Sequence, residues 1–303
     1  MSNKILFFGS GPVAAESLAL LSQDFEIEAV VTKPQPAHHK QAFPVLLLAN
    51  KLGLKIFETS DKQDLLELFE TRPSTSQLGV VIDYGIIIPQ EVIDYFPLGI
   101  VNSHFSLLPE WRGADPISFA ILSGQEQTGV SLMLIDGALD EGPLLAQTPY
   151  DIPTGITTPE LTEQLIELSN ASLKQILPLY IEGSIQPAPQ EQVTMAESSE
   201  PTYSRKLTKQ DSILDFNKPA AQLEREIRAY IEWPRSRTKL GSTDVIITKA
   251  YLSDLQGEVG KIWQQDQKLG IHTSDGTLVI DSLIPVGKKE MPVDAFLRGY
   301  SLN

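Results

Sequence analysis

Four short apolar runs, Lys4–Phe8, Ile27–Thr32, Leu78–Ile82 and Ile100–Ser103, recur through the first hundred residues with helical patterns between them. Runs that are apolar along their whole length suit strands covered on both faces. Strands alternating with helices then specify a parallel α/β sheet. Helices are expected after the first strand through Leu21, at Phe43–Leu52, at Asp61–Glu70 with Ser60 as cap, and at Pro89–Tyr95. A short strand is expected at Lys55–Phe57. The first turn, Gly9-Ser-Gly-Pro-Val-Ala14, fits the G-x-G-x-x-A dinucleotide pattern. The second strand ends in Lys33-Pro34, however, where a ribose-binding acid is required, so this is read as a tight strand-to-helix turn. His38-His39 sit in a proline-bounded loop without a cysteine or acid to complete a zinc spacing, and are read as solvated.

The stretch Gly99–Ile117 carries the chemistry. Side chains alternate faces along a strand, so Asn102 and His104 project to the same side. In a parallel α/β sheet ligands lie beyond the carboxyl ends of the strands, where this pair falls. Downstream, Ala114–Leu122 reads as a helix, and Gly129–Ile135 and Pro143–Thr148 as strands flanking the acidic loop Asp136–Gly142. Thr157–Gly183 is a long helical segment with Thr157/Thr158 as cap, followed by Pro159 and Glu160.

Residues 185–203 hold Pro187, Pro189 and Pro201 among Gln, Glu and Ser without periodicity, which predicts a linker between a domain at 1–184 and another at 204–303. The second domain opens with a helix at Pro219–Tyr230, carrying Arg225 and Arg228 on one face, and Arg235, Arg237 and Lys239 follow it. Val245–Tyr251, Glu258–Trp263, Gly270–Thr273 and Thr277–Leu283 read as strands of a small barrel. Charge follows the same division. Residues 1–203 hold 9 Lys and Arg against 26 Asp and Glu, whereas 204–303 hold 15 against 13. An overall charge of −15 therefore does not exclude a nucleic-acid partner for the second domain. Cysteine is absent, which excludes disulfides and thiolate metal sites. The N-terminal apolar run is too short for a signal sequence or a membrane span, so a cytoplasmic protein with no membrane contact is expected.

Asn102, His104 and one acid of Asp136, Asp140 and Glu141 suit acyl transfer to an amine. As the amine attacks a carbonyl carbon, the Asn amide and a protonated imidazole can donate to the oxygen that gains charge. A nearby carboxylate can help remove the amine's proton. Neither Ser103 nor Ser106 sits in a nucleophile-elbow pattern, which weighs against a serine hydrolase.

Asn102-Ser-His-Phe-Ser-Leu-Leu-Pro109, followed by Trp111-Arg-Gly-Ala-Asp-Pro-Ile117, resembles the signature of the folate-dependent formyltransferases, most closely the branch acting on methionyl-tRNA. Thr128-Gly-Val130, Leu139-Asp-Glu-Gly142, Leu207-Thr-Lys, Trp233-Pro234 and Gly287-Lys-Lys-x-Met291 extend the likeness over nearly the whole chain. The resemblance implies a Rossmann-like formyltransferase domain with a C-terminal OB-like β-barrel. It implies catalytic roles for Asn102, His104 and Asp140, thus choosing Asp140 among the three acids. It also implies that Ser106, Leu107, Leu108 and Pro109 line the tetrahydrofolate site, with the pterin near Tyr84–Ile88. The implied donor is 10-formyltetrahydrofolate and the acceptor methionyl initiator tRNA, with a monomeric enzyme and no metal. A nucleotide-sugar N-formyltransferase or a non-catalytic RNA-binding relative are the alternatives. Three features depart from the family: the loop Lys33–Phe43 is short and lacks a basic glycine-containing stretch, Glu110 occupies a usually basic position, and the first domain is acidic.

Overall fold

A computed structural model describes residues 4–35, 43–71, 74–196 and 200–302, so the His38-His39 pair lies outside the described residues. The chain forms two units. One comprises Met1–Pro116, Gln127–Asp151 and Thr162–Tyr203, and the other Ile117–Glu126, Ile152–Leu161 and Ser204–Asn303.

The first unit is built on β1 (Lys4–Phe8), α1 (Pro12–Asp24), β2 (Glu26–Thr32), α2 (Pro44–Lys51), β3 (Ile56–Glu58), α3 (Lys62–Glu70), β4 (Gly79–Val81), α4 (Gln90–Ile93) and β5 (Ile100–His104). After the short β6 (Arg112–Gly113) and α5 (Pro116–Ser123), which from Ile117 on belongs to the second unit, come β7 (Gln127–Leu134), β8 (Leu144–Asp151), α6 (Thr158–Ile181), whose start through Leu161 also belongs to the second unit, and α7 (Gln190–Val193). The seven-stranded sheet runs β3-β2-β1-β4-β5-β7-β8. Its first five strands are parallel as expected. β7 and β8 run antiparallel, so the sheet is mixed. The β7–β8 hairpin accounts for the pairing of those two strands, since a short return loop joins only antiparallel strands, while nothing in β7's apolar run sets its direction against β5, because such a run reads the same in either direction. Ile5, Leu6, Phe7 and Phe8 are fully buried, in keeping with a strand covered on both faces. Phe8 packs edge-on against Tyr84 and Phe96 and stacks on Phe69, tying β1 to α3 and to the segments after β4.

Asp61, rather than Ser60, caps α3, its carboxylate accepting the N–H groups of Gln63 and Asp64. Ser60 donates its own N–H back to Asp64, so the two residues share one capping arrangement. Glu160 likewise accepts the N–H and hydroxyl of Thr157 at the start of α6.

The second unit holds β9 (Tyr203–Ser204) at its start, then α8 (Ala220–Ala229), β10 (Arg237–Leu240), β11 (Thr243–Ser253), β12 (Ile262–Gln265), β13 (Lys268–His272), β14 (Thr277–Pro285), β15 (Met291–Pro292) and α9 (Val293–Gly299). Its antiparallel sheet runs β10-β11-β14-β13-β12, with β15 beside β14, a half-barrel consistent with an OB-like fold. Register shifts between Ile247 and Ala250 bend β11, the device by which a sheet curls towards closure. Leu223 and Ile227 of α8 and Phe296 of α9 fill its interior with Leu240, Ile247, Leu269 and Leu278. Neither β10 nor α9 was expected from the sequence.

Residues 185–203 differ from a featureless linker. Ala188 bridges Leu144, and α7 buries Gln190.

Glu28 anchors the loop before β4. Its carboxylate accepts hydrogen bonds from the Ser74 and Ser76 hydroxyls, both at 2.6 Å, and from the N–H groups of Thr75 and Ser76. Burial alone would push this carboxyl up, but the bonds from Ser74, Ser76 and Thr75 outweigh it and hold the group at about 2, against an ordinary 4.5. A carboxylate whose pKa is depressed by folding stabilises the native state above its ordinary value and loses that contribution as pH falls towards the folded value. Glu28→Gln is therefore expected to lower stability near neutral pH by about 2 kcal/mol. Urea unfolding at several pH values checks this, the gap to wild type closing as pH falls from 4.5 towards 2.

Candidate active site

β5 sits between β4 and β7, with Asn102 in register with Val81 and Met133, and His104 opposite Ser131. The intervening Ser103 points the other way, its hydroxyl 2.6 Å from that of Ser169 on α6. Asn102 and His104 thus share a face, as strand alternation requires. His104 is nearly buried, at 6% exposure.

The loop after β5 is held from within. Ser106, Leu107, Leu108 and Pro109 are all buried. The Ser106 hydroxyl donates to the carbonyl of Glu110, and the Ser131 hydroxyl donates to the Ser106 carbonyl while accepting the Leu108 N–H. Leu108 packs with Met133 and Leu144. The chain then passes a cis Leu108-Pro109 peptide and turns at Trp111, whose φ of 53° is left-handed. That turn aims the Trp111 carbonyl at His104 Nε2, 3.0 Å away. A carbonyl only accepts, so Nε2 carries a hydrogen and Nδ1 is the ring nitrogen left for chemistry.

Asp140 approaches from the loop between β7 and β8. Its Oδ2 accepts the Gly113 N–H at 2.8 Å and stands 3.8 Å from His104 Nδ1, while its Oδ1 is 3.4 Å from Asn102 Nδ2. The other two acids point elsewhere. Asp136 is exposed and accepts the Ala138 N–H, and Glu141 pairs with Arg112 at 3.1 Å. Asn102, His104 and Asp140 therefore converge as a polar cluster, with the His104–Asp140 gap too long for a direct hydrogen bond. A Cβ on Gly142 would stand 1.8 Å from the Leu134 carbonyl, so the loop can fold back onto β7 only with glycine there.

Three residues that the sequence did not mark support this arrangement. The amide of Gln190 donates to the carbonyls of Asp140 and Gly142 at 2.8 and 3.0 Å and accepts from Arg112 Nη2 at 2.9 Å. Thr202 accepts the Trp111 N–H on its hydroxyl and the Arg112 N–H on its carbonyl. Gln147 reaches the Leu108 carbonyl and the Ser131 hydroxyl. The first two lie in the proline-rich stretch after α6, where only composition was legible.

Near the expected pterin position, Tyr84 is buried, its hydroxyl 2.5 Å from that of Thr59. Burial pushes its phenol up to about 12, the Thr59 bond working the other way. Ile87 beside it is 85% exposed, a large apolar side chain left open to solvent.

In the second unit a cavity of about 750 Å³ is lined by Arg235, Arg237, Lys239 and Lys288 with a single acid, Asp244, over apolar Val245 and Ile284. Arg225 and Arg228, part of the same basic stretch in sequence, are used internally. They donate to the carbonyls of Leu122 and Ile156.

Residues 3–177 match the model of the family described as formyl transferase, and residues 206–301 that of its C-terminal domain. The chain is 35% identical over 315 residues to the methionyl-tRNA formyltransferase of Roseiflexus castenholzii, covering 100% of this chain and 98% of that protein. It is 34% identical to the one from Roseiflexus sp., covering 100% and 94%. Among solved structures it is similar in fold to the N-formyltransferase from Helicobacter canadensis in complex with folinic acid and dTDP-3-aminofucose. That match has a TM-score of 0.68 at 18% identity and covers 96% of this chain and all of that one.

Gly142→Ala is expected to destabilise the first unit by more than about 2 kcal/mol, because backbone rather than a yielding side chain fills the space. A thermal melt beside a mild surface control such as Gly137→Ala, whose Cβ meets nothing, checks it.

Proposed function

The chain belongs to the formyl transferase family and is a formyl-transferring enzyme, and we propose that it moves the formyl group of 10-formyltetrahydrofolate onto the amino group of methionyl initiator tRNA. The observation that carries the reading of the site is the convergence of Asn102 and His104 on the Asp140 carboxylate, at 3.4 and 3.8 Å. Full-length identity to methionyl-tRNA formyltransferases supports this acceptor over a nucleotide sugar, since the sugar-modifying relative shares only 18% of its sequence. A non-catalytic RNA-binding relative has no need of the polar cluster.

In the proposed reaction the amino nitrogen attacks the formyl carbon and the carbonyl oxygen gains negative charge. Asn102 Nδ2 donates to that oxygen. His104 Nδ1 takes the proton that the nitrogen sheds, giving an imidazolium whose Nε2–H remains on the Trp111 carbonyl and whose Nδ1–H faces Asp140. The bond from the formyl carbon to N10 then breaks, and the proton passes to N10. The products are the formylated amine and tetrahydrofolate. Ser106–Pro109 serve as a wall of the folate site. Because their side chains are buried, they contribute shape rather than side-chain hydrogen bonds. Residues 1–184 act as the catalytic domain and 204–303 as the RNA-binding domain of a cytoplasmic monomer, joined through 185–203. Among the described residues no helix is long and apolar enough to cross a membrane. The four cations around the second unit's cavity supply the phosphate-binding charge that the acidic first domain does not offer.

Purified protein is expected to formylate methionyl initiator tRNA from 10-formyltetrahydrofolate. Transfer to an amino sugar nucleotide with none to the tRNA would refute the assignment. His104→Ala is expected to cut turnover by about 10²–10⁴-fold with tRNA affinity retained, and undiminished turnover removes His104 from the mechanism. Arg237→Glu with Lys239→Glu should weaken tRNA binding and flatten its dependence on salt, by roughly one unit of slope for every phosphate that is no longer neutralised. A filter-binding series in rising salt reads both effects.

A further inference from the structure

Asp140 holds a left-handed backbone, with φ of 52°. For a residue with a Cβ this costs about 1 kcal/mol or more and persists only where surrounding bonds over-determine it. Those bonds form a closed ring. The Asp140 carboxylate is held by the Gly113 N–H at 2.8 Å. Its carbonyl is held by one hydrogen of the Gln190 amide, and the second hydrogen goes to the Gly142 carbonyl two residues on. Arg112, the neighbour of Gly113, completes the ring by donating to Gln190 Oε1 and pairing with Glu141 between the two held carbonyls. Gln190 is 3% exposed, with both amide hydrogens and its oxygen engaged. A buried amide left without these partners costs about 1–3 kcal/mol for each group.

We propose that Gln190, from the stretch that the sequence presents as a linker, is a positioning residue for formyl transfer, fixing where the Asp140 carboxylate stands relative to Asn102 and His104. It touches neither reacting group and acts through the Asp140 main chain. The inference rests on the reading of Asp140 given under the proposed function. A purely structural glutamine would fill space and stabilise the fold, whereas a positioning one sets the geometry of a separate carboxylate, and the two roles respond differently to substitution.

The experiment compares wild type, Q190M, Q190E, D140N and the corresponding double variants by steady-state formylation of methionyl initiator tRNA, with a thermal melt of each. Q190E keeps the shape and the acceptor for Arg112 but loses the donated hydrogens, so it decides the matter even where Q190M fails to fold. Both single variants are expected to lose kcat by about 10²-fold, with KM for donor and tRNA unchanged. Neither substitution is expected to add to the loss already present in D140N, since residues acting as one unit are not additive. Wild-type kcat in Q190E, or losses that multiply in the double variants, overturns the inference while leaving the assigned reaction intact. Absence of formyl transfer by wild type overturns the reading of the site and this inference with it.

Discussion

The Asp140 carboxylate meets a strand, a loop and a proline-rich connector at one point. Its oxygens face Gly113, Asn102 and His104, and its main chain is gripped by Gln190. None of these partners is near it in sequence. Their meeting depends on β7 running antiparallel to β5 and on the β7–β8 loop folding back hard enough for Gly142 to lie against the Leu134 carbonyl. A side chain at 142 would lift the loop and withdraw the carboxylate. The residues that make the site polar therefore rely on two apolar requirements, a strand direction and a glycine with no room for a Cβ.

How far the sequence reaches differs from element to element. The buried strands were legible because Ile5–Phe8 and Ile100–Val101 are apolar on both faces, and the pairing of Asn102 with His104 because alternation in a strand has period two. The direction of β7 was not, since period carries no polarity. Asp140 could not be separated from Asp136 and Glu141 by spacing. The resemblance chose it, and the structure gives the physical difference, one acid turned inward and two directed to solvent or to Arg112. Gln190 and Thr202 were illegible for a further reason. Each works through single hydrogen bonds to main chain far away in sequence, and such bonds leave no period, spacing or composition to detect. The arginines of the second unit show the reverse error. Arg225 and Arg228 read as one basic stretch with Arg235 and Arg237, yet the first two are tied to carbonyls of their own unit.

The division of charge has a similar logic. A chain with 26 acids against 9 cations in its first 203 residues repels a polyanion over most of that surface. On the function proposed above, attraction falls to the second unit, where four cations line one cavity. That proposal assigns binding energy and chemistry to different stretches of chain, which lets the chemistry stay acidic and buried.

The bond between His104 Nε2 and the Trp111 carbonyl has a consequence for the order of events. With one ring nitrogen engaged in that bond, the imidazole offers a single docking point for a mobile proton. In the reaction proposed above, the proton taken from the incoming amine and the one handed to the departing folate nitrogen use that same point in succession. On that proposal the site is a one-place relay, closed to reloading through the opposite nitrogen, and capture of the first proton precedes release of the second product.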